Sequence, residues 1–242
     1  MNKTAIITGG ADGIGKSIFE LFLSQDYNSV VIDKDSERIE DLRSKYKEKT
    51  LFFNADVSDY MAMKRVFEEI YDTFNNIFVL VNNAGIHTYD LLENMSEEKW
   101  KDTININLNS VFYCSKFAVR YMKREKCGRI INISSMSAIR GSYGHTHYCA
   151  SKAAIVSLTK ALAKEVGIYN ITVNSVCPGI VVTKMQTDNL FYEKKDQWMK
   201  EMSIKRFGKP SDIANAVYFL SSEDAGWITG QSLHVNGGIV MH

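Results

Sequence analysis

Three features of the 242-residue chain predict an α/β fold, a doubly wound parallel sheet with helices on both faces. Short Val/Ile-rich runs with little polar alternation recur along it, as strands buried on both faces require. Longer segments carrying apolar residues at helical spacing lie between them. The first apolar run leads directly into a glycine-rich turn and an amphipathic segment, the order of a strand–turn–helix unit.

The elements follow in order. Residues 4–8 read as the first strand, and 16–25 as the helix after the glycine turn. Strands are predicted at 29–32, 51–54, 78–81, 129–134, 172–176 and 232–235, making seven. The charged stretch 34–49 mixes signs and reads as a solvated helix face rather than a binding patch. A helix is predicted over 59–74, where Met63, Val66, Phe67, Ile70 and Phe74 share a face. Residues 100–124 read as one long helix. Another spans 211–220, with Ser211 as its cap and Pro210 before it. The less regular region 183–207 holds Met185, Leu190, Phe191, Trp198 and Met199 among many charges, and is expected to form a helical flap over a pocket. With two prolines, no low-complexity linker and no repeat, residues 1–242 read as a single domain.

Composition excludes several classes. Hydrophobic residues make up 45% and charged residues 24%, as in ordinary globular proteins rather than disordered or collagen-like chains. Lys+Arg number 29 against 28 Asp+Glu, so no basic excess exists to drive binding to nucleic acid or anionic lipid. Cys114, Cys127, Cys149 and Cys177 are widely spaced with no close pair, which argues against structural zinc or a redox dithiol and for reduced thiols. The first apolar run is too short for a signal-peptide core, and no stretch reaches the roughly 20 apolar residues of a membrane span. A cytoplasmic protein is the expectation.

The turn Thr8-Gly9-Gly10-Ala11-Asp12-Gly13-Ile14-Gly15 stands between a strand and a helix, the setting of a dinucleotide site. Glycines let the main chain approach a pyrophosphate, and the helix opening near Gly13 directs N–H groups and a positive dipole end at that anion. Asp33 ends the second strand 18 residues after Gly15, where a carboxylate accepts hydrogen bonds from ribose hydroxyls and repels a 2′-phosphate. Asp12 points the same way, so NAD is favoured over NADP. Lys34 is the dissenting residue, since it is placed to turn toward a 2′-phosphate.

Tyr148-Cys149-Ala150-Ser151-Lys152 places a phenol and an ammonium on one helix face. A nearby ammonium, together with a cationic nicotinamide ring, is expected to lower the phenol from about 10 toward neutrality and make it a proton-transfer group. Ser135 ends a strand 13 residues upstream and offers a hydroxyl to a substrate carbonyl. Asn82-Asn83-Ala84-Gly85 ends the fourth strand, where α/β sheets place ligands. By its own pattern Asn107 is an unremarkable mid-helix asparagine.

Together these motifs resemble the short-chain dehydrogenase/reductase family over essentially the full length. The matching pieces are TGGADGIG at 8–15, Asp33, NADV at 54–57, NNAG at 82–85, Asn107 in NINLNSVF, Ser135, YCASK at 148–152 and PGIVVT at 178–183. The resemblance implies a Rossmann-type fold, with Tyr148 as general acid/base, Lys152 holding the nicotinamide ribose, Ser135 orienting the carbonyl or alcohol, and Asn107 anchoring a water in a proton relay. It also implies that Gly9, Asp12, Gly13, Ile14, Gly15 and Asp33 hold the cofactor. Asp56 and Val57 would flank the adenine, Asn83, Ala84 and Gly85 the adenosine side, and Pro178, Val181 and Thr183 the nicotinamide end. A homotetramer, or a dimer, is implied through helices around 100–125 and 150–166 and the strand near 232–235.

Segments 87–91, 137–144 and 182–191 are the expected pocket walls, with Arg140, His145 and His147 as polar handles near Tyr148; two histidines without a carboxylate cluster give no metal site. The nearest branches of the family are the 3-oxoacyl-acyl-carrier-protein reductases and the glucose and polyol dehydrogenases. The former usually take NADPH, which Asp33 and Asp12 oppose. Of the basic carrier-docking positions, Arg129 matches one and Tyr169 replaces the other. The expected function is therefore an NAD(H)-linked oxidoreductase of a small secondary alcohol, such as a sugar, polyol or hydroxylated ring. The acyl-carrier reductase is the alternative, and a non-catalytic NAD(H)-sensing regulator is the remote one.

Overall fold

The structure, a computed structural model, describes residues 3–183 and 189–241, with the backbone alone described for 189–193. One sheet of seven parallel strands organises it: β1 (Thr4–Thr8), β2 (Asn28–Asp33), β3 (Thr50–Asn54), β4 (Val79–Asn82), β5 (Gly128–Ile133), β6 (Ile171–Pro178) and β7 (Ser232–Val235). Their order is β3-β2-β1-β4-β5-β6-β7, so the chain winds outward from β1 in one direction and then returns to wind outward in the other. The expected doubly wound, Rossmann-type sheet is present. Ile7 pairs with Val31 on one side and Val81 on the other. Above the carboxyl ends of β1 and β4 the two windings diverge, and this leaves a crevice for a ligand.

Helices cover both faces. On one, α1 (Gly13–Ser24) packs against α9 (Pro210–Ser221), and α2 (Ser36–Lys45) lies beside β3. Phe19, Phe22, Ile39, Val217 and Leu220 are buried there against Ile7 and Val31. On the other face, α3 (Tyr60–Phe74) packs against α5 (Ser110–Glu125) over Ile6, Leu80 and Ile130, with Met63, Phe67, Cys114 and Met122 buried. α7 (Thr146–Val166) packs on β6. The buried faces of α1 and α3 are the apolar stripes that the sequence spacing predicts. None of the described helices is long and apolar enough to cross a membrane.

Two helix predictions need correction. Residues 100–124 are not one helix: α4 (Glu97–Ile104) and α5 are separated by a π-helical turn, Asn105–Asn109. A wider turn of this kind redirects a side chain without breaking the helix. Here it buries Asn107, whose Oδ1 accepts from the Ile86 N–H at 2.7 Å and whose Nδ2 donates to the Ile86 carbonyl at 3.0 Å. Apolar periodicity runs across such a turn and does not register it. In α9, Pro210 is the first helical residue rather than the one before the cap, which suits its fixed φ and missing N–H. The Asp212 carboxylate accepts from the Lys209 N–H at 2.7 Å and closes the turn, leaving Ser211 within the helix.

The predicted flap region contains α8 (Asn189–Glu201). Trp198 packs with Ile180 and Met202, whereas Met185, Leu190 and Phe191 lie outside the residues whose side chains are described.

A buried amide network joins sheet to helices. Asn82 Nδ2 donates to Asn132 Oδ1 at 2.8 Å and to Ser115 Oγ at 3.1 Å, and Asn132 Nδ2 donates to Thr159 Oγ1 at 2.9 Å. It thereby links β4, β5, α5 and α7. Asn132→Ala is expected to destabilise the fold by about 2–4 kcal/mol, because it strands buried polar partners. Asn54→Ala at the exposed end of β3 should change stability by less than about 0.5 kcal/mol. Urea unfolding of the two variants measures the contrast.

Candidate active site

The glycine turn is shaped by contacts that exclude side chains. Gly9 and Gly13 have φ of +61° and +55°, the left-handed region open to glycine. A Cβ on Gly15 would lie 2.0 Å from the Gly9 carbonyl oxygen, and one on Gly9 would lie 2.8 Å from the Ala84 Cα. The turn is pinned to the segment after β4. Thr8 Oγ1 accepts from the N–H groups of Asn83 and Ala84 at 3.0 and 3.1 Å, and Asn83 Nδ2 donates to the carbonyls of Thr8 and Gly9 at 3.0 and 2.9 Å. Beside this cradle Ile14 and Gly15, in the first turn of α1, line the cleft, at the end of a helix that favours an anion.

At the outer end, Asp33 is fixed by the backbone: its Oδ2 accepts from the Ala11 N–H and its Oδ1 from the Asp35 N–H, both at 3.1 Å. Asp12 caps α1, accepting from the Gly13 N–H at 2.8 Å. The other carboxylate oxygen of Asp12 meets the Arg38 guanidinium at 3.2 Å, and Asp35 grips the same guanidinium at 3.3 Å. Asp12, Asp33, Lys34, Asp35 and Arg38 all line one cleft. The charged stretch 34–49 thus contributes to a binding wall as well as a solvated helix face. Arg38 carries no motif signal; only the fold brings it opposite Asp12. Asp56 turns its carboxylate to the N–H and hydroxyl of Ser58, at 2.8 and 2.7 Å, and with Val57 lines the cleft.

At the inner end, Ser135 follows β5 and its Oγ accepts from the Ser137 N–H at 3.1 Å. Tyr148 and Lys152 lie one turn apart on α7, as their spacing predicts. Lys152 Nζ donates to the Ile133 carbonyl at 2.9 Å and stands 5.7 Å from the centre of the Tyr148 ring. Burial lowers the Lys152 ammonium from its ordinary 10.5 to about 8. Burial also raises the Tyr148 phenol above its ordinary value, and a hydrogen bond with Ser135 opposes that only in part. The lowering is expected from the lysine and a cationic nicotinamide ring together; in the protein alone, desolvation is the larger influence on the phenol. Desolvation dominates for both groups, and Tyr148 stays a neutral proton donor.

The cleft holds about 600 Å³. Among the predicted cofactor residues, Gly9, Asp12, Gly13, Ile14, Gly15, Asp33, Asp56, Val57, Asn83, Ala84, Gly85, Pro178, Val181 and Thr183 line it, together with Ser135, Tyr148 and Lys152. Asn107 sits one layer behind, with its Nδ2 also donating to Ser151 Oγ at 3.2 Å. Its Oδ1 would lie 3.1 Å from a Cβ on Gly85, and Lys152 Nζ 3.5 Å from the same point.

The proposed substrate handles are differently placed. Arg140 turns to Glu201 of α8 at 2.8 Å and does not line the cleft. His145 stacks on His87, with ring centres 4.2 Å apart and planes within 9°, and its Nδ1 donates to the Tyr143 carbonyl at 2.8 Å. His87 is the histidine that lines the cleft, edge-on to Tyr148 at 4.6 Å. The segment 87–91 is marked in the sequence by its place after β4, but nothing there ranks His87 above His145. His147 is buried, with Nε2 2.8 Å from Thr88 Oγ1. Arg129 is buried near the start of β5, over the Phe78 ring, with its guanidinium donating to the Ser222 and Gly128 carbonyls at 3.3 and 2.9 Å.

Comparison with known proteins agrees with this geometry. A family profile described as "Enoyl-(Acyl carrier protein) reductase" matches residues 9–240. The 3-oxoacyl-[acyl-carrier-protein] reductase FabG of Staphylococcus epidermidis is 40% identical over the whole of both chains. Proteins of the same name from Chlamydia trachomatis and Haemophilus influenzae are 42% and 43% identical, each over 99% of this chain and 98% of its own. Full-length relatives of that name overturn the expectation of a sugar, polyol or hydroxylated-ring dehydrogenase. That expectation weighs two cofactor-end aspartates above the match along the rest of the chain. With this fold, this cleft and these relatives, the chain belongs to the short-chain dehydrogenase/reductase family, oxidoreductases that use a nicotinamide cofactor.

Proposed function

We propose that the protein is an NAD(H)-linked reductase of 3-oxoacyl thioesters, the substrate class named for its full-length relatives. The observation that carries this reading is geometric: Tyr148, Lys152 and Ser135 meet at the inner end of the same cleft whose outer end is lined by the glycine turn and Asp33. Reduction of a ketone needs a proton donor at the forming alkoxide, and a phenol kept neutral at physiological pH serves as one. The glycine cradle, the Asp33 carboxylate and the length of the cleft fit a dinucleotide lying from the outer to the inner end. When bound, its nicotinamide supplies the hydride.

The remaining work falls to the chain. Ser135 donates a hydrogen bond to the substrate carbonyl oxygen and holds it beside Tyr148. Tyr148 delivers the proton to that oxygen. Lys152 holds the nicotinamide ribose and, as a cation, stabilises the phenolate left behind. Asn107 keeps the Ile86 backbone, and so the wall of the cleft, in place through two hydrogen bonds. His87 closes one side of the reacting space. Asp33 accepts from the adenosine ribose and repels a 2′-phosphate, which supports NAD. Arg129 is spent on carbonyls of its own chain, so a carrier protein would find its docking charge elsewhere.

We further propose a cytoplasmic enzyme of one domain, residues 1–242, with α8 as a flap tied to the segment after Ser135 by the Arg140–Glu201 pair. Its assembly is a homotetramer, supported by the exposed Phe112 on α5, by Ile168 between α7 and β6, and by Trp227 and Leu233 before and on β7.

Oxidation of NADH with an acetoacetyl thioester is expected to proceed in the native protein. It should fall at least about a hundredfold in kcat in Tyr148→Phe, while NADH binding by calorimetry stays within about threefold; equal rates would defeat the assignment. Asp33→Ala is expected to narrow the ratio of NADPH to NADH dissociation constants by about tenfold or more.

Lys152→Met should raise stability at pH 7. Moving an ammonium from 10.5 to about 8 costs the fold about 3 kcal/mol at about 1.36 kcal/mol per pH unit. Between those values the unfolded chain binds a proton that the folded chain lacks. The native protein therefore gains stability as pH rises from about 8 to 10.5, and the cost is fully present below about 8. The advantage of Lys152→Met, read from urea unfolding, is expected to shrink across that window.

A further inference from the structure

The outer end of the cleft holds three carboxylates, Asp12, Asp33 and Asp35, and two cations, Lys34 and Arg38. Their arrangement goes beyond a simple acidic surface. Asp33 is committed to two backbone N–H groups. Arg38, on the first turn of α2, reaches across to the glycine turn. There Asp12 Oδ2 takes its Nη2 at 3.2 Å, while Asp35 Oδ2 takes its Nε at 3.3 Å. The guanidinium is therefore a bridge between two elements, held at two of its nitrogens by carboxylates.

Arginine is the side chain best suited to a phosphate monoester, because its planar fork matches two phosphate oxygens. One stands here in the cleft wall, beside the carboxylate that receives an adenosine ribose in the proposed reading. A 2′-phosphate on that ribose would meet Asp33 and also an arginine already paired.

We propose that Asp12 determines cofactor choice indirectly, by holding Arg38 in an ion pair and so denying that guanidinium to a 2′-phosphate. The inference rests on the NAD reading above and deepens it: Asp33 repels the phosphate, and Asp12 withholds the arginine of the cleft wall that would reward it. In this view Asp12 has two tasks on two oxygens, capping α1 through Oδ1 and restraining Arg38 through Oδ2.

The test is a binding cycle, with NADH and NADPH dissociation constants measured by titration calorimetry on the full-length protein. The variants are Asp12→Ser, Arg38→Met and the double variant. Serine keeps a capping oxygen for the Gly13 N–H while it removes the charge, and Asp12→Asn provides a second such variant should the first fold poorly. The native protein is expected to bind NADH more tightly than NADPH. Asp12→Ser is expected to shift the ratio of NADPH to NADH dissociation constants about tenfold toward NADPH, the effect of one charge-assisted hydrogen bond from the released guanidinium. In the Arg38→Met background the same Asp12→Ser change should leave that ratio within about threefold.

An equal gain with and without Arg38 would mean that Asp12 acts only through its own charge, and would overturn the proposal. So would the absence of a gain in both Asp12→Ser and Asp12→Asn. Tighter binding of NADPH than NADH by the native protein is a separate result: it would defeat the NAD reading itself.

Discussion

The contact on which the site depends is the approach of the glycine turn to the segment after β4. With no Cβ at Gly9 or Gly15, the main chain of residues 9–15 lies directly on Asn83 and Ala84, and the opening of α1 faces the crevice rather than being held away from it. Thr8 and Asn83 lock the approach with four hydrogen bonds across the part-buried seam between the turn and the segment after β4. The direction in which α1 opens and the floor of the cleft both follow from this one close packing of backbone on backbone.

At the other end of the cleft the governing effect is desolvation. A buried lysine and a tyrosine of the cleft wall stand one helical turn apart, and desolvation makes both less willing to carry charge. The fold bears that cost in exchange for a reacting space where a neutral phenol and a readily neutralised amine lie beside a serine hydroxyl. Desolvation holds the proton on the phenol, so its release to a substrate oxygen depends on a neighbouring positive charge to stabilise the phenolate. The amide network of Asn82, Asn132 and Thr159 makes the arrangement rigid, since moving α7 relative to β5 would break its hydrogen bonds.

Much of this is readable from residue order. The strands at 4–8 and 232–235 match the prediction end for end, and the other five differ by one or two residues at their ends. Strands buried on both faces leave a strong local trace of Val and Ile. The Tyr148–Lys152 pairing is legible because helical spacing alone makes them neighbours. The π turn at 105–109 is not legible: it serves a hydrogen bond between Asn107 and the backbone of residue 86, a partner 21 positions away. The substrate class is misjudged from sequence because two acidic residues at the cofactor end say nothing about the opposite end of the cleft.

What the linear chain determined was the local chemistry, namely which segments are strands and helices, where the backbone bends tightly, and which phenol and ammonium share a face. Those properties arise within a few residues, from sterics and periodicity. Tertiary structure decided how distant groups meet: that Arg38 bridges Asp12 and Asp35, that His87 and not His145 walls the cleft, and that Arg129 is buried. It also decided the directions in which Tyr148 and Lys152 shift, because desolvation depends on everything packed around a group and no stretch of sequence contains that information.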